Sequence, residues 1–326
     1  MIASITRRSL MALAAVSMLA GAAPAAYAQD VTIPIIVKDT TSFYWQIVMA
    51  GARKAGKDLG VNVPELGAQA ETDVNGQISI LENAVAGNPA AIVISPTEAK
   101  ALGKPIDEAA AKVKIIGIDS SADSKAFTSC RTTDNKVGGQ VAADGLAAAI
   151  GEANGGKVEG KVAIITALPG AGSLESRREG FLEQVKAKYP GLEVIADKYA
   201  DGQATTGLNI ATDLITANPD LKGIFASNLI MAQGVGQAIA ENNLAGKVAL
   251  IGFDSDEKLI KFLNDGVISG LVVQDPYRMG YDGIKTALAA SKGEKVEAFV
   301  DTGANLVTKA NMKEPKIDAL LNPKLD

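Results

Sequence analysis

Val31-Thr-Ile-Pro-Ile-Ile-Val37, followed by Lys38-Asp-Thr-Thr-Ser-Phe-Tyr-Trp45, is the stretch that decides the fold. The first seven residues form an apolar, β-branched run, the pattern of a parallel strand buried on both faces. From Trp45 onward, apolar residues at Val48, Met49 and Ala52 keep helical spacing toward Leu59. The octapeptide is therefore a strand-to-helix loop of an α/β sheet. Such sheets bind ligands outside the carboxyl ends of their strands. The loop holds the chain's only Trp, beside Phe43 and Tyr44, in a sequence that is only 4% aromatic. Each aromatic alone reads as helix packing, but three in a row cannot all face the core of one helix. Flat apolar faces beside a Lys, an Asp and three hydroxyls suit a sugar. The C–H face of its ring stacks, and charged or polar groups take its hydroxyls.

The same alternation runs outward through the chain. Strands are predicted at Val31–Val37, Val61–Leu66, Ala91–Ser95, Lys114–Asp119, Lys161–Ala167, Leu192–Ala196, Lys222–Ala226, Val248–Asp254 and Gly270–Gln274, with helical periodicity between them. Gly60, Asn88-Pro89, Gly191, Asn218-Pro219 and Gly246 punctuate the joints. This order implies mostly parallel sheets with helices on both faces. The segments beginning Asn88-Pro89 and Asn218-Pro219 echo each other, each running from a helix end into a strand, as two similar halves would. The break between halves is placed at Asp134-Asn135.

The first 28 residues read as an address. Arg7 and Arg8 precede an apolar run, Leu10–Ala20, and then Ala26-Tyr27-Ala28. That is the layout of a secretory signal peptide, with cleavage expected after Ala28. Sec export and, from the paired Arg, twin-arginine export both remain open. The whole chain has a formal net charge of −5, which argues against a nucleic-acid partner. Cys130 is the only Cys, so no internal disulfide forms. The sequence has no His, which rules out Ser-His-Asp and Cys-His catalysis. Gly170-Ala-Gly172-Ser-Leu-Glu175 begins like a dinucleotide fingerprint, but Glu175 replaces its third Gly and would face a pyrophosphate. Composition leaves room for a two-carboxylate glycosidase.

Seven short motifs, in order, resemble the periplasmic solute-binding proteins of sugar ABC transporters, in the ribose- and allose-binding group. The 38–45 loop resembles that family's Asn-Pro-Phe-Trp loop, and Ile118-Asp119-Ser120 its fourth-strand Asp. Asp134-Asn135 resembles the crossover, and Ser176-Arg177-Arg178-Glu179-Gly180-Phe181 the Arg-x-x-Gly-Phe helix start. Ile224-Phe-Ala-Ser-Asn228, Ile251-Gly-Phe-Asp254 and Val273-Gln274-Asp-Pro276 match three strand ends. The resemblance covers essentially all of the chain after the signal peptide.

It implies a type I periplasmic binding protein: two Rossmann-like parallel-sheet domains joined by a three-crossing hinge. One lobe comprises 31–133 plus 275–303, the other 134–274 plus 304–326. The implied function is capture of a monosaccharide or polyol in the interdomain cleft, hinge closure, and delivery to the permease of an ABC importer. The implied protein is a periplasmic monomer with no cofactor, metal or catalysis. A sensor subunit for a chemoreceptor or histidine kinase is the alternative.

The resemblance also assigns roles. Tyr44 and Trp45 stack on the ring, and Lys38, Ser42 and Arg177 bind its oxygens. Asp119 and Asp254 accept from hydroxyls, one per lobe, while Asn228 and Gln274 both donate and accept. Ser120 completes the set, standing where ribose binders carry a second Arg. Arg178 is expected to face solvent. Leu229 replaces an Asp usual in the family. Gly202 lies where an aromatic closes the ring's other side, a place Tyr199 would take. These departures imply a pocket less tightly built for a pentose.

Overall fold

The computed structural model describes residues 31–323 and residue 325. The signal-peptide reading of residues 1–28 lies outside them. In chain order the elements are β1 (Ile35–Val37), α1 (Phe43–Leu59), β2 (Glu65–Gly67), α2 (Val74–Ala86), β3 (Ala91–Ile94), α3 (Ala99–Ala110), β4 (Lys114–Ile118) and β5 (Ser129–Thr132). Next come α4 (Asn135–Ala153), β6 (Gly160–Thr166), α5 (Gly172–Lys188), β7 (Leu192–Tyr199), α6 (Ala204–Ala217), β8 (Leu221–Ala226), α7 (Leu229–Glu241) and β9 (Ala249–Phe253). The chain finishes with α8 (Glu257–Asn264), β10 (Gly270–Val273), α9 (Pro276–Ser291), β11 (Phe299–Asp301), β12 (Asn305–Val307) and α10 (Pro315–Leu321).

These strands form two six-stranded sheets of nearly identical plan. The first runs β11-β5-β4-β3-β1-β2 and the second β12-β10-β9-β8-β6-β7. All pairings are parallel except β10 with β12. In each sheet the strand order reverses, between β1 and β3 in one and between β6 and β8 in the other. Loops on either side of that point diverge and leave a crevice at the strand ends. The chain passes between the sheets three times: after β5, after β10, and between β11 and β12. Beyond α10, the carbonyl of Leu325 accepts from Arg53 Nη2 on α1 at 3.4 Å.

Strands β1, β3, β9 and β10 are buried along their whole lengths, as helices on both faces require. On one face of each sheet the two helices meet backbone to backbone. A Cβ on Gly51 of α1 would lie 2.0 Å from the carbonyl oxygen of Tyr277 on α9. One on Gly139 of α4 would lie 2.0 Å from that of Arg177 on α5.

Every predicted strand is present, with shifted bounds. Pro34 and Pro64 lack the N–H that a ladder needs. They shorten the first two strands, although Ile33 still donates to Asn62 and Ile35 to Pro64. The seventh strand instead continues past Ala196 to Tyr199. Three strands escaped the sequence reading: β5, β11 and β12. They are three or four residues long, and β5 reads Ser-Cys-Arg-Thr, with no apolar run to announce it. The Asn-Pro echo falls on equivalent strands, β3 and β8. The turns differ: Asn88 is left-handed at φ 50, whereas Asn218 has φ −133.

Candidate functional site

Nine of the ten residues singled out from the sequence line one cavity between the two sheets: Lys38, Ser42, Tyr44, Trp45, Asp119, Arg177, Asn228, Asp254 and Gln274. Its walls stand close together and leave only about 30 Å³ of free volume. Lys38, Asp119, Asn228, Asp254 and Gln274 sit just beyond the carboxyl ends of strands, and Ser42, Tyr44, Trp45 and Arg177 come from the loop or the first turns of the helices that follow, which is how residues distant in sequence meet. Ser120 is not on the wall. Its hydroxyl accepts from the Ser173 backbone N–H at 3.0 Å and bonds the Ser173 hydroxyl at 3.4 Å, joining the sheets beside the cavity.

The first-sheet wall is built around Asp119. This residue follows β4 in a left-handed conformation, φ 58, which Asp adopts more readily than most residues. Its Oδ1 accepts the Tyr44 hydroxyl at 2.8 Å, and its Oδ2 accepts the Ser95 hydroxyl at 2.9 Å. Lys38 Nζ lies 3.0 Å from Oδ2, with both side chains almost fully buried. Burial pushes the Asp119 carboxyl up, but the Lys38 ammonium and the Arg177 guanidinium outweigh it and hold it below the ordinary value. Burial, then the charges of Asp119 and Asp254, push the Tyr44 phenol well above its ordinary value. Tyr44 therefore remains a neutral donor. Its ring meets the Trp45 ring edge to face at 4.9 Å.

The second-sheet wall is arranged around Arg177. Its guanidinium lies 3.7 Å over the Phe253 ring. Nε donates to Asn135 Oδ1 at 2.8 Å, and Nη1 to the Ser227 carbonyl at 3.0 Å. Asn135, just past the first crossing, also donates to the Asp119 carbonyl at 3.1 Å, linking the two walls. Asn228 caps α7, its Oδ1 accepting from Met231 N–H at 3.0 Å. Asp254 mirrors Asp119: it follows β9 and is left-handed at φ 68. Gln274 Nε2 donates to its Oδ1 at 2.7 Å, while Gln274 Oε1 is buried with no partner among the described residues.

Asp254 differs from Asp119 in charge balance. Burial raises its carboxyl above the ordinary value, and Arg177 and Gln274 only partly oppose this. A raised folded value means the native state binds the proton more tightly than the unfolded chain. Stability is therefore lost as pH rises from the ordinary 3.8 through the raised value, and the loss is constant above it. Asp254→Asn keeps an oxygen for Gln274 and tolerates the left-handed backbone. It is expected to raise stability at pH 7. Thermal unfolding across pH should show that gain vanishing below the ordinary carboxylate range.

Some residues stand elsewhere than expected. Arg178 does not face solvent freely; it pairs with Asp197 and lies 5.8 Å over the Tyr199 ring. Tyr199 is outside the cavity, its hydroxyl donating to Glu175 Oε2 at 2.7 Å. Glu175 also accepts the Gly170 N–H at 2.9 Å and so closes the turn before α5. Asp39 shapes the first loop, its Oδ1 accepting from the N–H groups of Thr41 and Ser42, both at 2.7 Å. The sequence reading missed Glu71, Ser173, Leu174 and Ile230 on the wall. Glu71 follows β2, so the strand-end rule points to its loop, but no motif marks the residue.

Residues 33–295 match the model of the periplasmic binding protein domain. The ribose import binding protein RbsB of Escherichia coli is 30% identical over 298 residues, 90% of this chain and 96% of the relative. A carbohydrate transporter solute binding protein from Agrobacterium radiobacter, in complex with D-arabinose, is 80% identical at a TM-score of 0.89. That comparison covers 90% of this chain and 99% of the other. An ABC transporter solute binding protein from Agrobacterium vitis with bound D-fucose is 38% identical at a TM-score of 0.84, covering 89% and 100%. Twin sheets reversed at matching points, a cavity closed between them and a family match over most of the length agree: the chain belongs to the periplasmic binding protein family, in the type I fold.

Proposed function

We propose that this protein captures one monosaccharide or polyol in the cavity between its sheets and delivers it, chemically unchanged, to the permease of an ABC importer. The observation that carries the reading is the cavity's composition. Carboxylates from both sheets, two buried cations, an unpartnered amide oxygen and an aromatic pair converge on one space between the sheets. Hydroxyls supply both donors and acceptors to such a wall, and a ligand there touches both sheets at once. Binding and closure are then one event, favoured by whatever the ligand gains in the closed state. The sheets already meet around the cavity, through Ser120 with Ser173 and through Ala99 N–H donating to the Gly170 carbonyl at 2.9 Å.

The moving bodies in this reading are residues 31–133 with 275–303 and residues 134–274 with 304–326. The three passes of chain between sheets support that division. Tyr44 and Trp45 flank the ring; Lys38, Ser42 and Arg177 bind its oxygens; Asp119, Asp254, Asn228 and Gln274 fix its hydroxyls. The protein works as a monomer in the periplasm after removal of residues 1–28.

D-Arabinose is the first candidate ligand, because the Agrobacterium radiobacter protein bound to it is 80% identical. Thermal unfolding of residues 29–326 against D-arabinose, D-ribose, D-fucose, D-allose and the matching polyols tests the reading. A sugar at 100 times its Kd is expected to add about 2.7 kcal/mol of stability, and chromatography should recover it unaltered. No shift with any sugar or polyol, or recovery of a transformed product, would overturn the proposal.

A further inference from the structure

Of the cavity's carboxylates, Glu71 and Asp254 are the least supplied with donors, one each. Asp119 takes the Tyr44 hydroxyl, the Ser95 hydroxyl and the Lys38 ammonium. Asp254 takes Gln274 Nε2. Glu71 has one hydrogen bond among the described residues, from Trp45 Nε1 to Oε1 at 2.8 Å; no ion pair forms there, and Oε2 has no donor. An ionised carboxylate offers about four acceptor positions, so most of the Glu71 capacity is left for a ligand or water. Burial pushes the Glu71 carboxyl up, against the opposing effects of Lys38 and the Trp45 bond.

Its place is fixed and central. The loop carrying it is pinned by Thr40 N–H to the Ala68 carbonyl at 3.1 Å, and by Asp73 capping α2. Glu71 stands in the partition between the inner cavity and a wider outer chamber, together with Ser42, Asn228, Leu229 and Ile230. Leu229 and Ile230 carry no side-chain donor, and Asn228 Oδ1 is committed to its helix cap.

We infer that Glu71 is a specificity-determining residue of the sugar site, Oε2 accepting a hydrogen bond from one hydroxyl on the side of the ring nearest the outer chamber. The inference rests on the sugar reading. A site built to hydrogen-bond a hydroxyl strongly rejects the analogue lacking it, because its own polar group is left unpaired. Asp119 keeps protein donors on both oxygens when a ligand hydroxyl is missing. Glu71 Oε2 keeps none, so this ring position is sharply read.

The test is calorimetry with D-arabinose and its 2-, 3- and 4-deoxy derivatives on the wild type, Glu71→Gln and Glu71→Ala. The wild type is expected to reject one deoxy sugar by roughly 10–100-fold. Glu71→Ala should lose a similar factor on D-arabinose while binding that deoxy sugar almost as before, so one discrimination collapses and the others stand. Glu71→Gln keeps an oxygen for the Trp45 indole, and Trp45, the only Trp, reports its own surroundings by fluorescence. A selective loss in Glu71→Gln with unchanged emission supports direct contact. Equal losses on all four sugars, or unchanged ratios, would overturn it and leave Glu71 as support for Trp45. A wild type that binds no sugar overturns the function proposed above, and this inference with it.

Discussion

Asp119→Asn is expected to weaken sugar binding by about 100-fold or more and to destabilise the fold by about 3–5 kcal/mol, the effect of breaking a buried ion pair by removing one partner. The backbone is not the cause, because Asn accepts φ 58 as Asp does. The cause lies in the three donors around the carboxylate. Lys38, Tyr44 and Ser95 all aim at Asp119. An Asn offers them one oxygen and turns its NH₂ toward the remainder, leaving the almost fully buried Lys38 without a counterion. Because the native carboxyl is held below the ordinary value, its contribution is fully present above that value. It is lost as pH falls through the lowered native value. The stability gap between wild type and variant should be wide at pH 7 and close in acid. Asp254→Asn should do the reverse and stabilise at pH 7. Two Asp residues at equivalent strand ends, both left-handed, thus carry opposite stability signs, set by how many cations and donors face each. Urea unfolding of both variants at several pH values measures this. A shared sign would sink the electrostatic account of the site.

That contrast also shows where sequence reading ends. The strand ends carrying Lys38, Asp119, Asn228, Asp254 and Gln274 are legible because apolar runs stop there and ligands of α/β sheets gather there. Arg177 is legible only through its motif. Nothing local says that its guanidinium packs on Phe253 and is held by Asn135, residues 76 and 42 positions away in a chain folded across a crossing. The charge balance at each Asp depends on neighbours from other strands, so composition and periodicity are silent about it. Glu71 lay hidden for a related reason. In sequence it is one acid in a polar loop, and only the closing of the second sheet over it makes it a wall. The strands β5, β11 and β12 were invisible because each is held by its neighbours rather than by its own residues. Ser129, for instance, is anchored by its hydroxyl donating to the Glu297 carbonyl at 2.6 Å.

Gly139→Ala is the substitution expected to couple packing most directly to the site. The added Cβ would lie 2.0 Å from the Arg177 carbonyl oxygen and 2.8 Å from its carbonyl carbon, so α4 and α5 must move apart. Both atoms met are backbone, and no side chain can swing away. Overpacking usually costs about 1–3 kcal/mol, and a backbone contact this close belongs at the upper end. The displacement falls on the residue whose guanidinium is threaded between Phe253, Ser227 and Asn135. A sub-ångström shift of α5 spoils those contacts together, and sugar affinity should fall about tenfold along with the unfolding midpoint. Gly293→Ala provides the comparison. It is left-handed at φ 77 with nothing within 4 Å, so it adds only conformational strain of about 1–2 kcal/mol and should leave affinity unchanged. If Gly139→Ala binds sugar as the wild type does while losing stability, the α4–α5 contact holds the sheet together without aiming Arg177. If both affinity and stability fall, the glycine that lets two helices touch is also what places the cation in the cleft.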